Sequence, residues 1–244
     1  MSSVEIYHST AKRTDAAGLN YKGLHIHACA GLHEAVAEAV TAHVPVGGHV
    51  LDIASGTGAL CLRLNDAGYR MSACDLVTEN FRLHGTIPFR TLDLNTPFSK
   101  GISDRFDAIT ATEIIEHLEN PRHFLRECNS LLKPGVKPGG KLILTTPNVD
   151  SALSRAIWIT AGHFQWFSEK EYRTDGHIMP LTWWTLSRAL RDTGFLVDQR
   201  TSACPFETGF LGWWKMRLLA MLLAAVDPGQ TPQGQISIVV ATKA

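Results

Sequence analysis

The sequence predicts one α/β domain: a doubly wound sheet of seven mostly parallel strands that closes in a C-terminal antiparallel hairpin. Three observations predict it. Residues 50–60 read as a buried strand, a glycine turn (Ser55-Gly56-Thr57-Gly58) and a helix, which is the ligand-binding corner of such a sheet. Apolar runs of strand length then alternate with amphipathic helical stretches up to about residue 203. The alternation ends on two strand-like runs, one opening at Phe195 and one covering residues 235–241, which are expected to form the hairpin.

The elements follow in order. Residues 1–30 are an N-terminal arm, irregular by composition, with Tyr21, His25 and His27 as its notable side chains; the arm reads either as irregular chain or as a flap over a pocket. Residues 31–43 carry Leu32, Val36, Ala39 and Val40 on one helical stripe, stopped by Pro45 and Gly47-Gly48. The helix after the glycine turn has Leu60, Leu64 and Ala67 on its inner side and Gly68 as its C′ residue. Strands two and three are residues 69–75 and 89–92, and strand four is residues 106–112. The next helix buries Phe124, Leu125, Cys128, Leu131 and Leu132, and strand five is residues 141–146, stopped by Pro147-Asn148. Residues 149–180 read as an insertion on the substrate side, holding Trp158, His163, Phe164, Trp166, Phe167 and His177. A regular helix then starts at Thr182, a predicted N-cap, and ends before Gly194. A second insertion, residues 204–234, is apolar and helical. No repeat or second domain is visible, so residues 1–244 form one unit.

Composition narrows the function. Hydrophobic residues make up 45% and charged residues 19%, so the chain can bury a core. Lys+Arg and Asp+Glu are equal at 23 each, which gives no basic footprint for a nucleic-acid backbone and speaks against general nucleic-acid binding. The five cysteines are scattered and include no C-x-x-C pair, so neither a disulfide framework nor a thiolate zinc site is expected, and a reducing cytoplasm fits. The N-terminus lacks the basic and apolar regions of a signal peptide, and no uncharged apolar run reaches the roughly 20 residues of a spanning helix.

The glycine corner selects the ligand. A dinucleotide fingerprint asks for G-x-G-x-x-G, but Cys61 stands at the third glycine position, and the Lys-Ser/Thr of a phosphate-cradling loop is missing. A nicotinamide oxidoreductase is disfavoured on that ground. Asp52, at the end of the strand, would repel a pyrophosphate and suits a cationic ligand. Asp75 lies 17 residues past Gly58, near the roughly 20 at which an acidic residue meets a ribose hydroxyl pair in this architecture.

At these residues the chain resembles motif I of the class I S-adenosylmethionine-dependent methyltransferases, usually acidic-x-Gly-x-Gly-x-Gly. Asp52, Gly56 and Gly58 match it; Ala54 replaces the first glycine and is expected to exclude a positive φ there. The resemblance implies a Rossmann-like fold with S-adenosylmethionine as cofactor. It implies that Asp52, Ala54, Ser55, Gly56 and Gly58 surround the methionine and sulfonium end. Asp75, with Leu76, would hold the ribose, and Asp93 with Leu94 the adenine; Thr112 joins the cofactor-binding set.

A second phrase, Phe106-Asp107-x-Ile109 running to Glu113-x-Ile115-Glu116-His117-Leu118-x-x-Pro121, resembles motif IV of small-molecule methyltransferases, in particular the ubiquinone-pathway branch. Glu113, Glu116 and His117 are spaced i, i+3, i+4 and would share one face of a helix. The spacing resembles that of relatives in which two Glu and a His bind a divalent ion, and His177 lies where some of them add a second His. Two readings stand: Glu113, Glu116, His117 and His177 hold a divalent metal, or they cap and pack the helix start. His117, His177 and Glu116 are the candidate catalytic residues, because a hydroxyl acceptor must lose its proton; if the four only cap and pack the helix start, they are structural and a base is to be sought in the insertion or the N-terminal arm.

Residues 210–226 are apolar almost all round, with Trp213, Trp214, Lys215 and Arg217 at one end. That asymmetry suits peripheral membrane contact; a buried lid or an interface helix is the other reading. The expected function is methyl transfer to a small or lipid-linked acceptor, with oxygen as the favoured atom. N- or C-methylation of a small metabolite, and a non-catalytic cofactor-binding partner subunit, are the alternatives.

Overall fold

The computed structural model describes residues 19–134, 139–205, 214–227 and 231–244. The chain enters its main sheet at the centre. β3 (His49–Ile53) is buried at all five positions, as expected for a β-branched, apolar run with neighbours on both sides. From β3 the chain moves outward through β4 (Arg70–Asp75) to β5 (Phe89–Thr91). It then crosses back to β6 (Ala108–Ala111) and β7 (Lys141–Pro147) on the other flank. The order is β5-β4-β3-β6-β7-β9-β8, with β8 (Phe195–Ala203) at the edge and β9 (Ile236–Lys243) inserted beside β7. All pairs from β5 to β7 are parallel, and β9 is antiparallel to both β7 and β8. The strand order reverses between β3 and β6, and that switch point is where a doubly wound sheet opens a crevice at its strand ends.

Helices cover both faces. On one face α1 (Leu32–His43) and α2 (Ala59–Asp66) bring Val36, Val40, Leu60 and Leu64 against Val50, Met71 and Ala73. On the other, α3 (Pro121–Leu131) packs Phe124, Leu125 and Cys128 against Leu51, Ile109 and Leu142. Local chemistry sets the helix ends. Asn120 caps α3 by accepting from the His123 amide, with Pro121 in the first turn. Gly68, just past α2, takes φ 91° as a C′ glycine should.

The insertion at 149–180 is more regular than its sequence suggests. It contains α4 (Ala152–Ala161), capped by Ser151, and α5 (Glu169–Thr174), opened by a capping box from Ser168 and Glu171. The aromatic clutter of this stretch hid two short helices whose signals are the two serine caps. After it, α6 (Trp183–Asp192) starts on the Thr182 cap as expected. α7 (Trp214–Val226) follows β8 and packs on α4. Trp213 and residues 210–212 lie outside the described residues.

The N-terminal arm is described from residue 19 on. A short hairpin, β1 (Asn20–Tyr21) with β2 (Leu24–His25), lies against the end of α2. Tyr21 donates to Asp66 at 2.9 Å, Lys22 pairs with the same carboxylate at 2.7 Å, and the Arg63 guanidinium sits 4.2 Å over the Tyr21 ring. Behind the hairpin, Cys29 is joined to Cys204 in a disulfide, their Cα atoms 6.3 Å apart. This corrects the expectation of free thiols throughout: the partners are 175 residues apart, so no sequence spacing announces the pair. Cys61, Cys74 and Cys128 are free and buried.

Candidate functional site

The strand end after Ile53 turns sharply. Ala54 has φ 59°, the left-handed region, contrary to the expectation that alanine would exclude it. The reason lies in the surroundings: Ser55 donates its amide to the Cys74 carbonyl at 3.1 Å and Gly58 donates to Ser55 at 2.9 Å, and these bonds hold the turn. Strain of this kind persists where neighbouring structure over-determines the backbone. Gly58 has φ 89°, and a Cβ there would come within 2.9 Å of Phe81 and Leu83. Its glycine therefore lets Phe81 and Leu83 pack against the loop. At Gly56 a Cβ would face the His27 ring at 3.7 Å, so the N-terminal arm lies over the loop. The Thr57 hydroxyl fastens it there by donating to the His25 carbonyl at 2.6 Å.

Two aspartates stand beneath this loop. Asp75, at the end of β4, is 1% exposed and accepts from the Gly56 amide at 2.8 Å and the Val77 amide at 2.9 Å. Burial raises its pKa while those amides oppose the rise. It holds the glycine turn against β4, and a ribose hydroxyl would share a carboxylate already engaged. Leu76 follows it at the strand end. Asp52 accepts from the Thr110 hydroxyl at 2.7 Å and the Cys61 thiol at 3.1 Å. Burial pushes it up to about 6. Farther along, Asp93 binds the Asn95 amide at 2.9 Å in a local turn, beside buried Leu94.

Between the arm and the loop is a cavity of about 50 Å³ whose lining includes His27, His33, Asp52, Ala54, Ser55 and Thr112. Three buried atoms of that lining lack a hydrogen-bond partner: the Ser55 Oγ, the Thr112 Oγ1 and the His33 Nδ1. Buried polar atoms are almost always paired, so three orphans around one cavity mark a place for a polar ligand. A buried carboxylate that a cation would ionise completes the set. These residues fit the charged end of S-adenosylmethionine.

A second cluster lies past β6. Glu113 has φ 50°, and its amide donates to the Thr145 hydroxyl, which in turn donates to its carboxylate at 3.0 Å. Glu116 is fully buried in a single 3-10 turn (Ile115–His117) and accepts from Thr146 at 3.0 Å, while its Oε1 has no partner. Burial raises the pKa of both glutamates, and the Glu113 charge pushes Glu116 further. The His117 Nε2 is 3.9 Å from that Oε1. The His117 ring meets the His177 ring edge-on at 4.8 Å. Burial, with His177 beside it, lowers His117 to about 3; burial also lowers His177. Each imidazole has its Nδ1 on a backbone carbonyl, His117 on Gly176 at 3.1 Å and His177 on Trp166 at 2.6 Å. Those carbonyls orient the two rings.

The structure therefore brings Glu116, His117 and His177 together, with one ligating atom from each within 4.8 Å of the others. Glu113 is held apart by Thr145. The expected shared helical face is absent, because the segment is a 3-10 turn preceded by a left-handed residue. An i, i+3 pattern does not carry over to that geometry.

Residues 25–200 match the family described as methyltransferase domain. The chain belongs to this family. Among relatives of this methyltransferase-family chain, the ubiquinone biosynthesis O-methyltransferase of Xanthomonas axonopodis pv. citri is 35% identical over 111 residues. That alignment covers 43% of this chain and 45% of the relative, so the chain spans about half the length of the curated relatives it matches. Two solved structures share the fold. One is a SAM-dependent methyltransferase from Archaeoglobus fulgidus, with a TM-score of 0.56 and 18% identity, aligned over 86% of this chain and 94% of that one. The other is the magnesium protoporphyrin IX methyltransferase of Synechocystis with bound SAH, with a TM-score of 0.55 and 16% identity, over 87% and 82% of the two chains.

Sequence reasoning missed His33. It sits in the first turn of α1, and nothing near it in sequence links it to the glycine loop. Its unpaired nitrogen in the cavity is visible only after folding.

Proposed function

We propose that this chain is an S-adenosylmethionine-dependent O-methyltransferase acting on a small or lipid-linked hydroxyl compound. The observation that carries the choice of oxygen is the unpartnered Glu116 Oε1, buried beside His117 and His177 at the strand-end crevice. S-adenosylmethionine supplies a methyl group on a good leaving group, so alignment does much of the work. A hydroxyl acceptor needs more, because its proton must leave. Glu116, His117 and His177 would hold a divalent cation; two imidazole nitrogens and a carboxylate oxygen are suitable donors. Such an ion would lower the acceptor's pKa and fix its orientation. Asp52 would face the positive end of the cofactor, Ala54, Ser55, Gly56, Gly58 and Thr112 would enclose its methionyl part, Asp75 and Leu76 its ribose, and Asp93 with Leu94 its adenine.

Turnover of a catechol or hydroquinone acceptor with and without chelator tests this. Chelator, and separately Glu116→Gln, should lower turnover by at least about 100-fold, the scale of lost general-base or Lewis-acid catalysis. S-adenosylhomocysteine binding should change little. Full activity in both cases sinks the metal role, and activity on an amine acceptor alone sinks the O-methyl assignment.

A peripheral membrane contact is supported by α4 and α7. No helix among the described residues is long and apolar enough to cross a membrane. Yet Trp158, Ile159, Trp214, Leu218, Met221 and Leu222 are all exposed on these packed neighbours, and Lys215 sits 5.5 Å over the Trp214 ring. Indole with nearby basic groups suits the headgroup layer. Co-sedimentation with anionic vesicles, lost on Trp214→Ser, is the expected result; wild-type protein that stays in the supernatant removes the membrane reading.

A further inference from the structure

We propose that His33, with Ser55 beside it, binds the α-carboxylate of the methionyl tail of S-adenosylmethionine, and so makes the chain select nucleosides that carry that tail. The inference rests on the methyltransferase reading above and adds a residue to it.

Four observations point to an anion at this end of the cavity. His33 is 9% exposed and Ser55 is 8% exposed, and the Nδ1 of one and the Oγ of the other have no partner and line the same space. Both atoms can donate, and a carboxylate offers several lone pairs to accept. His33 lies in the first turn of α1, whose N-cap is Gly31 and has no capping side chain, so the helix presents its positive end without an internal acceptor. The carboxylate nearest in sequence, Glu34, is turned to Arg63 at 2.7 Å and is half exposed. It therefore leaves the His33 nitrogen unpaired.

The cavity also has a polarity. Among the described residues, Asp52 is the one carboxylate in its lining. An amino acid tail would orient with its ammonium toward Asp52 and its carboxylate toward His33 and Ser55. The imidazole is neutral: burial and the Arg63 and His27 charges hold it down at about 4 against the opposing Glu34. A neutral ring can donate from Nδ1 by choice of tautomer, with no proton taken up. His27, from the arm above Gly56, closes the space over the ligand. The arm is kept in place by the Thr57–His25 bond and, just before α1, by the Cys29–Cys204 bridge.

The test uses two ligands that differ in the tail. S-adenosylhomocysteine has the amino acid; 5′-methylthioadenosine has the same nucleoside and sulfur without it. Binding of both is measured by calorimetry on the full chain. His33→Ala should weaken S-adenosylhomocysteine by about tenfold or more, the scale of a hydrogen bond to a charged group, and leave 5′-methylthioadenosine unchanged. The unchanged ligand also reports that the variant is folded. A second pair removes dependence on alanine. His33→Asn places an amide donor near the Nδ1 position and should retain most of the preference for the tailed ligand. His33→Gln places it near Nε2 and should lose that preference. Equal weakening of both ligands, or an unchanged preference in both Ala and Gln variants, overturns the assignment. Wild-type protein that binds neither nucleoside overturns the methyltransferase reading itself, a result distinct from loss of the preference alone.

Discussion

The two halves of the crevice are built differently. On the side of the glycine loop, β3, β4 and β6 are tied together by bonds between strand ends and the turn: Asp75 to the Gly56 and Val77 amides, Asp52 to Thr110 and Cys61, Ser55 to Cys74. Every one of these groups is buried or nearly so. On the side proposed for the acceptor, α4 and α7 expose Trp158, Ile159, Trp214 and Leu218, and His177 reaches His117 from a loop 60 residues farther along the chain. The first side is closed around one turn by these buried bonds. The second is assembled from distant insertions and carries an exposed apolar surface among the described residues.

Four measurements would break or sharpen that contrast. The bridge Cys29–Cys204 fastens the arm to the chain just past the edge strand β8. Cys204→Ser in oxidised protein should cost about 2–5 kcal/mol in denaturant unfolding, with reductant giving the same loss in wild type. Unfolding that is indifferent to both shows that the halves hold together without it.

Asp75→Ala comes next. It strips a hydrogen-bond acceptor from two buried amides, at about 1.5–3 kcal/mol for bonds to a charged group. S-adenosylhomocysteine binding should weaken together with stability, because the same carboxylate holds the loop. Loss of binding with no change in melting would mean that the residue acts on the ribose alone.

Asp52 gives a pH signature. Its pKa in the folded protein is raised from 3.8 to about 6 by burial. The folded state therefore keeps a proton that the unfolded chain loses first. The associated stabilisation is complete below 3.8 and is lost as pH rises through about 6. An ammonium facing it favours the ionised carboxylate, so the preference for S-adenosylhomocysteine over 5′-methylthioadenosine, which lacks that ammonium, should fall by up to about tenfold between pH 7 and pH 5. A flat ratio across that range would place the ammonium away from Asp52.

The smallest effect belongs to Ala54. Its left-handed φ of 59° costs about 1–2 kcal/mol for a residue with a Cβ. Glycine removes that strain and gives back part of the gain as unfolded-state entropy. Ala54→Gly should raise stability by about 0.5–1 kcal/mol, read as a melting point about 2 °C higher. A lower melting point means that the Ala54 methyl group, which packs against the core, matters more than the backbone strain.

What the sequence determined by itself is what local chemistry encodes. The β3 strand, the Ser55–Gly58 turn, the Asn120 and Thr182 caps and the closing hairpin each follow from a few neighbouring residues, and so did the doubly wound sheet and the family. The tertiary structure decided what depends on distant groups. It set the left-handed Ala54, because the Cys74 carbonyl on the next strand holds the turn. It left Glu113 out of the group that Glu116, His117 and His177 form, with Thr145 on β7 bound to one carboxylate and Thr146 to the other. It joined Cys29 to Cys204, and it carried His33 from the start of a helix to the glycine loop. Spacing along the chain describes which side chains share a helix or a strand; which of them meet across the sheet is fixed only when the whole core packs.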